Sequence, residues 1–489
     1  MEIRLRLRPF LIAGTLLLSL AACAGATEAA SAPSRSSFTG WTWLSGSNSI
    51  NQLGVYGTEG VASPDNTPGA RVSPVSAVDL SGNFWLFGGY GNDSANAQGG
   101  DLNDLWEYSD GEWTWVSGSN LTEQSGTYGS RGIAAPGNVP GARYQALSWI
   151  DTSGNLWIFG GLGIDSTGAR GRLNDLWKYS AGEWTWMSGA ATADQKGEYG
   201  TKGAAAGSNV PGARVSGSTW TDAAGDLWLF GGFGYDSNGN LGILNDLWKY
   251  SGGEWIWISG SKVFNAFGRY GTMGDASTHN VPGARSDSVA WIDGSGNLWL
   301  FGGQGNDSNG ALCRQSGGAL PCSLNDLWKF NAGQWTWMGG AKVIAQPGIY
   351  GTLGKPSSNN VPGARTNALS WTDSSGAFWL FGGFGFASVS TTFGDLNDLW
   401  KFSGGEWTWM SGASSTDQPG HYGTKGTGTP RNVPGARDSL TGWIDTAGNL
   451  WLFGGGDYLS VAGGGKFNDL WKYTLPKTQA SQVAPSDGQ

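Results

Sequence analysis

Four short strings return in fixed order along this chain: PGAR, LWLFGG or a close variant, NDLW, and WTW or WIW. Each occurs six times, at a spacing of 71 to 80 residues. The first WTW, Trp41 to Trp43, precedes any PGAR, and the last NDLW, Asn468 to Trp471, has no WTW after it. The two ends therefore complete one another, as a closed ring of repeated units requires, with the N-terminal segment supplying the strand missing from the last unit. One ring, rather than several ordinary domains, is the expected use of the 489 residues.

Within Pro140 to Gly189, GARYQALSWID reads as a first strand and LWIFGG as a second. NDLWKYS follows as a third and WTWMSG as a fourth, with TSGN and AGE as tight turns. No stretch has a helical period. LWLFGG is apolar on both alternating faces, as a strand buried on both sides must be. Five tryptophans per unit, with the first unit lacking one and carrying Val78 in its place, account for all 29 in the chain. Each tryptophan is then a packing position.

Composition narrows the partners. The formal charge is −9, which excludes nucleic acid, because phosphate binding needs a basic surface. Residues 1–22 carry three arginines and then the apolar stretch Pro9 to Ala22, too short for a stable span, and read as an export signal. Leu20, Ala21, Ala22 and Cys23 resemble the lipobox of bacterial lipoproteins. The resemblance implies acylation of Cys23, a flexible tether over 23–37, and, with Ala24 after the cysteine, the outer membrane. Ordinary cleavage near Ala24 to Ala26 would instead give a secreted protein. Cys313 and Cys322, in a Gly-rich loop of an exported chain, are expected to form a local disulfide. Residues 476–489 read as a polar tail.

An Arg opening the first strand, a double Gly ending the second, an aromatic in the third and a Trp in the fourth resemble the kelch repeat, over residues 38–475. The resemblance implies an all-β fold, a six-bladed β-propeller of four-stranded blades, as in kelch proteins and the central domain of galactose oxidase. It does not carry over copper chemistry. The only histidines, His279 and His421, occupy different positions in separate loops, and no unpaired cysteine is left in the propeller.

Two kinds of loop emerge on one face. Between the Gly after WTW and the next PGAR lie 21 residues in every copy, each with a Tyr-Gly pair such as Tyr128. A length fixed six times argues for a packed element. The loop from the double Gly to LND or FND varies, with 12, 11, 11, 20, 12 and 11 residues. Any ligand is expected on this elaborated face or at its channel mouth. Arg71, Arg143, Arg214, Arg285, Arg365 and Arg437 begin the inner strands there, with His279 and His421 in loops of the same face. The arginines either present a cationic ring to an acidic ligand or pair internally with carboxylates such as the NDLW aspartates.

The DSNG-type strings at Asp93, Asp165, Asp236 and Asp307 offer calcium at most a partial loop, lacking a terminal Glu, and otherwise read as Asx turns. DxxGxxW strings such as Asp151 to Trp157 read as turn anchors. No motif for catalysis is present, so no catalytic residue, metal site or cofactor is assigned. The expected function is a non-catalytic, monomeric envelope scaffold binding protein or glycan at the cell surface, joined to the membrane by its lipid. The alternative is a sugar-directed enzyme resembling kelch-type sialate mutarotases, which predicts an acid–base pair and arginines converging at one channel mouth.

Overall fold

The computed structural model describes residues 38–96, 98–309, 322–389, 392–457 and 464–475. Cys23, the tether, Cys313 and the C-terminal tail lie outside them. Among the described residues every regular element is a strand.

In the second unit the inner strand has two pieces, Arg143–Tyr144 and Leu147–Ile150, both paired antiparallel with the second strand, Leu156–Ile164. The third strand, Arg170–Ser180, pairs with it on the other side, and the outer strand, Glu183–Ser188, follows. The other units repeat this order. Inner strands touch in a cycle, Val75–Val78, Leu147–Ile150, Ser218–Thr221, Val289–Ile292, Leu369–Thr372 and Thr441–Ile444, and the last touches the first. Gly40–Ser45 pairs antiparallel with Leu470–Thr474, setting Trp41 opposite Tyr473 and Trp43 opposite Trp471. The ends close the ring as their strings require, and the fold is a β-propeller.

The core lies between blades. One apolar layer joins Leu147, Trp149 and Phe159 of the second blade to Leu227, Leu229 and Trp255 of the third. Inner-strand tryptophans reach across these layers. Trp291 stacks on Phe378 with ring centroids 5.2 Å apart, and Trp149 donates its indole N–H to the Trp228 carbonyl at 2.9 Å. Packing and hydrogen bond together set the blade spacing. The first unit departs at Ala77, not Val78: Ala77 faces Trp85 across the ladder as Trp149 faces Trp157, while Val78 faces Phe84.

The double Gly has a steric cause. Gly88 and Gly89 sit at a register shift with φ of 62° and 101°, and a Cβ on Gly88 would lie 2.7 Å from the Arg143 carbonyl of the next blade. Only glycine fits this approach. Beyond it the second and third strands run on as a hairpin toward the mouth.

The 21-residue segments do not stay on the elaborated face. They start there, where Thr122 N–H reaches Asp93 at 2.9 Å, and then descend along the outer edge of the following blade. Gly132 N–H bonds the Trp186 carbonyl at 2.8 Å, Asn138 reaches the Trp184 carbonyl at 3.0 Å, and the same contacts recur round the ring. Each strap thereby covers backbone groups that an edge strand would otherwise leave open to pairing with another chain.

Candidate functional site

The six arginines are buried structural groups. Arg143 grips Asp175 of NDLW with two hydrogen bonds of 2.7 Å, and both side chains are 0% exposed. Its remaining donors reach the carbonyls of Gly141 and Gly160. Asp175 Oδ2 also accepts from Trp177 Nε1 at 2.7 Å and from the strap Tyr128 hydroxyl at 2.6 Å. The same node stands at Arg71–Asp104, Arg214–Asp246, Arg285–Asp326, Arg365–Asp398 and Arg437–Asp469. These arginines therefore do not form a ligand-facing ring, because a bidentate buried pair leaves no guanidinium edge toward the channel. Burial and then the negative Asp175 push the Tyr128 hydroxyl well above its ordinary value, so it stays a donor.

Two further aspartate sets are turn anchors. Asp151 accepts from the backbone N–H of Ser153 and Asn155 and from Trp157 Nε1 at 2.8 Å. Asp165, from the DSNG-type strings, accepts from the N–H groups of Thr167, Ala169 and the strap residue Ala193. Burial raises Asp165, but these donors outweigh it and hold the carboxyl below its usual value. Asp93 and Asp236 make matching contacts, and Asp307 takes the N–H of Asn309 and Ile344. Carboxylates surrounded by N–H donors form Asx turns that tie hairpin to strap.

His279 and His421 are exposed on two different straps, entering different blades. His279 borders a cleft with Lys202, Phe267 and Arg269 on the outer edge. The two histidines do not converge: His279 precedes Asn280, which bonds the Trp335 carbonyl on the outer edge, while the His421 N–H bonds the Val433 carbonyl beside the last PGAR. Cys322 is buried beside the strand Ser323–Asn331, while its expected partner Cys313 lies outside the described residues.

The four strands of the repeat diverge most at their ends beyond the double Gly. There, three residues from the inner, second and third strands stand side by side in each blade. In order they are Val72, Tyr90, Asp101; Tyr144, Leu162, Arg172; Val215, Phe233, Ile243; Ser286, Gln304, Ser323; Thr366, Phe384, Asp395; and Asp438, Gly456, Lys466. No two blades agree, although the same strands agree closely below the glycines.

The mouth is held by contacts between blades. Tyr90 and Tyr144 lie 5.7 Å apart, and Lys466 stands over Tyr90 at 5.1 Å. Arg170 bonds the buried Asp101 at 2.8 and 3.1 Å and passes over Tyr144, while Arg172 covers Phe233 at 4.5 Å. Aromatic faces and charged edges thus share one rim. Burial lowers Lys466, and burial raises Asp101 despite the opposing Arg170.

Below this rim a second ring crosses the axis. Ser73, Gln145, Ser216, Asp287, Asn367 and Ser439 follow the arginines by two positions, and each has φ between 49° and 58°. Each N–H donates to the preceding member's carbonyl, from Gln145 to Ser73 at 3.0 Å round to Ser73 to Ser439 at 2.7 Å. The polar run S, Q, S, D, N, S was visible two residues after each PGAR, and it is the signal that sequence reasoning missed. Burial and the nearby Asp287 and Asp457, against a hydrogen bond from Ser439, push Asp438 up to about 7.

No family model and no curated protein matches the sequence. Among solved structures, the chain is similar to YjhT, at 15% identity and TM-score 0.47, over 83% of this chain and 95% of that one. It is also similar to a fungal alcohol oxidase of the AA5 family in complex with copper, at 14% identity and TM-score 0.44, over 88% and 79%. The blades are kelch-like. Arg143, Gly160 with Gly161, Trp177 and Trp184 occupy the positions that carried the resemblance in the sequence, and the two glycines have φ of 65° and 99°.

Proposed function

We propose that this kelch-like propeller is a binding protein of the cell envelope, whose ligand seats at the mouth beyond the double glycines. One observation carries this reading: strands that agree closely below the double glycines differ in every blade at the rim, where a fold hosts recognition without disturbing its frame. Tyr90, Tyr144, Phe233 and Phe384 are half-buried aromatics of the rim, and Lys466, Arg170 and Arg172 stand over the first three. That mixture suits a polar ligand with flat faces and many hydroxyls, a glycan. In the same proposal the protein is joined to the membrane through an acylated Cys23. Among the described residues no helix is long and apolar enough to cross a membrane.

A panel of glycans screened by thermal shift tests the reading, since a ligand at 100 times its Kd stabilises by about 2.7 kcal/mol. Tyr144→Ala and Arg172→Ala are expected to abolish a shift seen with the parent protein. A shift that survives both would place the ligand elsewhere. A second reading, proton transfer on a bound sugar, has one observation in its favour: a carboxyl at about 7, Asp438, exchanges its proton near neutral pH. Turnover of a bound sugar, lost in Asp438→Thr, would establish it.

A further inference from the structure

We propose that the axial ring below the mouth is a site for a hard divalent cation of the calcium type, with Asp287 as its carboxylate ligand. The site is a cavity of 160 Å³ on the axis, lined by Ser73, Gln145, Ser216, Asp287, Asn367 and Ser439. At about 30 Å³ per water it holds roughly five waters, a partly hydrated ion but not a ligand of 300 Å³ or more. The rim and the ring therefore take different classes of ligand.

The donor chemistry selects the ion. Every N–H and carbonyl of the six ring residues is already used in the hydrogen-bonded circle, so these residues meet a ligand with side chains: one carboxylate, two amides and three hydroxyls, of which Ser216 and Ser439 also bond Asp287 and Asp438. An all-oxygen set suits calcium, which takes 6–8 oxygens including carboxylates. An anion would face the Asp287 carboxylate.

The charge is unbalanced in the same direction. Among the described residues neither Asp287 nor Asp438 has a Lys, Arg or His partner within ion-pair distance. Asp287 takes a 2.7 Å hydrogen bond from the Ser286 hydroxyl, and burial still raises it. A bound cation supplies the missing countercharge. Asp287 is also the position's departure from the repeat, since three of its five counterparts are Ser73, Ser216 and Ser439, in the same left-handed conformation.

The repeat provides the control. Asp287→Ser installs a residue that the ring already accepts, and Asp287→Asn keeps the shape without the charge. Chelator-treated protein is titrated with calcium chloride by calorimetry and thermal unfolding, with sodium chloride at equal ionic strength alongside. One site per chain and a rise in Tm are expected for the parent, with at least a tenfold loss of affinity in both variants and an unchanged response in Asp236→Asn and in Tyr144→Ala. Tyr144→Ala separates this site from the rim. The proposal is overturned by absence of binding to the parent, by an equal shift with sodium chloride, or by undiminished binding in Asp287→Ser and Asp287→Asn.

Discussion

The hydroxyl of Tyr128 donates to Asp175 across 2.6 Å, from a strap to a strand 47 residues further on. Through Asp175 it joins Arg143 and Trp177, so one carboxylate ties strap, inner strand and third strand together. Six copies of that node hold the frame on which the variable rim stands.

The node should respond unequally to its parts. Tyr128→Phe leaves Asp175 with its other donors and is expected to cost about 1 kcal/mol. Asp175→Ala strands a buried guanidinium and is expected to cost about 3–5 kcal/mol. Urea unfolding of the two variants compares them, and equal losses would deny the carboxylate its central place.

Ring closure depends on Gly40–Ser45. Trp41 is 1% exposed and meets Phe381 and Tyr473 at 5.2 and 5.1 Å, so Trp41→Ala should lose about 3–5 kcal/mol. Removing the whole strand uncovers the edge of Leu470–Thr474 and should give self-association in size-exclusion chromatography, where the parent is expected to elute as a monomer.

Asp438 gives the molecule a pH dependence. Its value of about 7 when folded lies above the ordinary carboxyl range, so the folded chain holds that proton more tightly than the unfolded one. The contribution is fully present below the unfolded value of about 4 and is lost as pH rises toward 7. Asp438→Thr, the residue at the matching place in the fifth blade, should flatten this part of the stability profile. Urea midpoints between pH 4 and pH 8 measure it, and parallel profiles would exclude Asp438 as the source.

At the rim, Arg170 is 45% exposed while Asp101 is wholly buried. Arg170→Ala should destabilise the protein more than Arg131→Ala. Arg131 is exposed and bonds only the Gly189 carbonyl while covering Trp186, so its loss leaves no buried charge behind. Thermal unfolding of the two variants checks the order.

Much of this frame was legible because it repeats. The offset of WTW against NDLW announced closure between Trp41 and Tyr473, and the double Gly marked the bend where no Cβ fits. For the arginines, pattern alone left two readings, since a conformation facing ligand and one facing Asp175 use the same residue at the same spacing. Burial decides between them. The path of the straps was hidden because a constant length gives no direction, and the acceptors on the outer strand are the Trp184 and Trp186 carbonyls, backbone groups that carry no sequence signal, although the donor Asn138 recurs in every copy. The axial ring was overlooked for the opposite reason: S, Q, S, D, N and S differ enough to look like an ordinary polar turn, yet share one left-handed conformation.

The most direct test of the central claim is a comparison of ligand binding by the parent protein and a variant carrying Tyr144→Ala with Arg172→Ala, measured by thermal shift across one glycan panel. The account predicts a specific shift in the parent and none in the variant, with the calcium response retained in both. A glycan shift of equal size in the two proteins would contradict it.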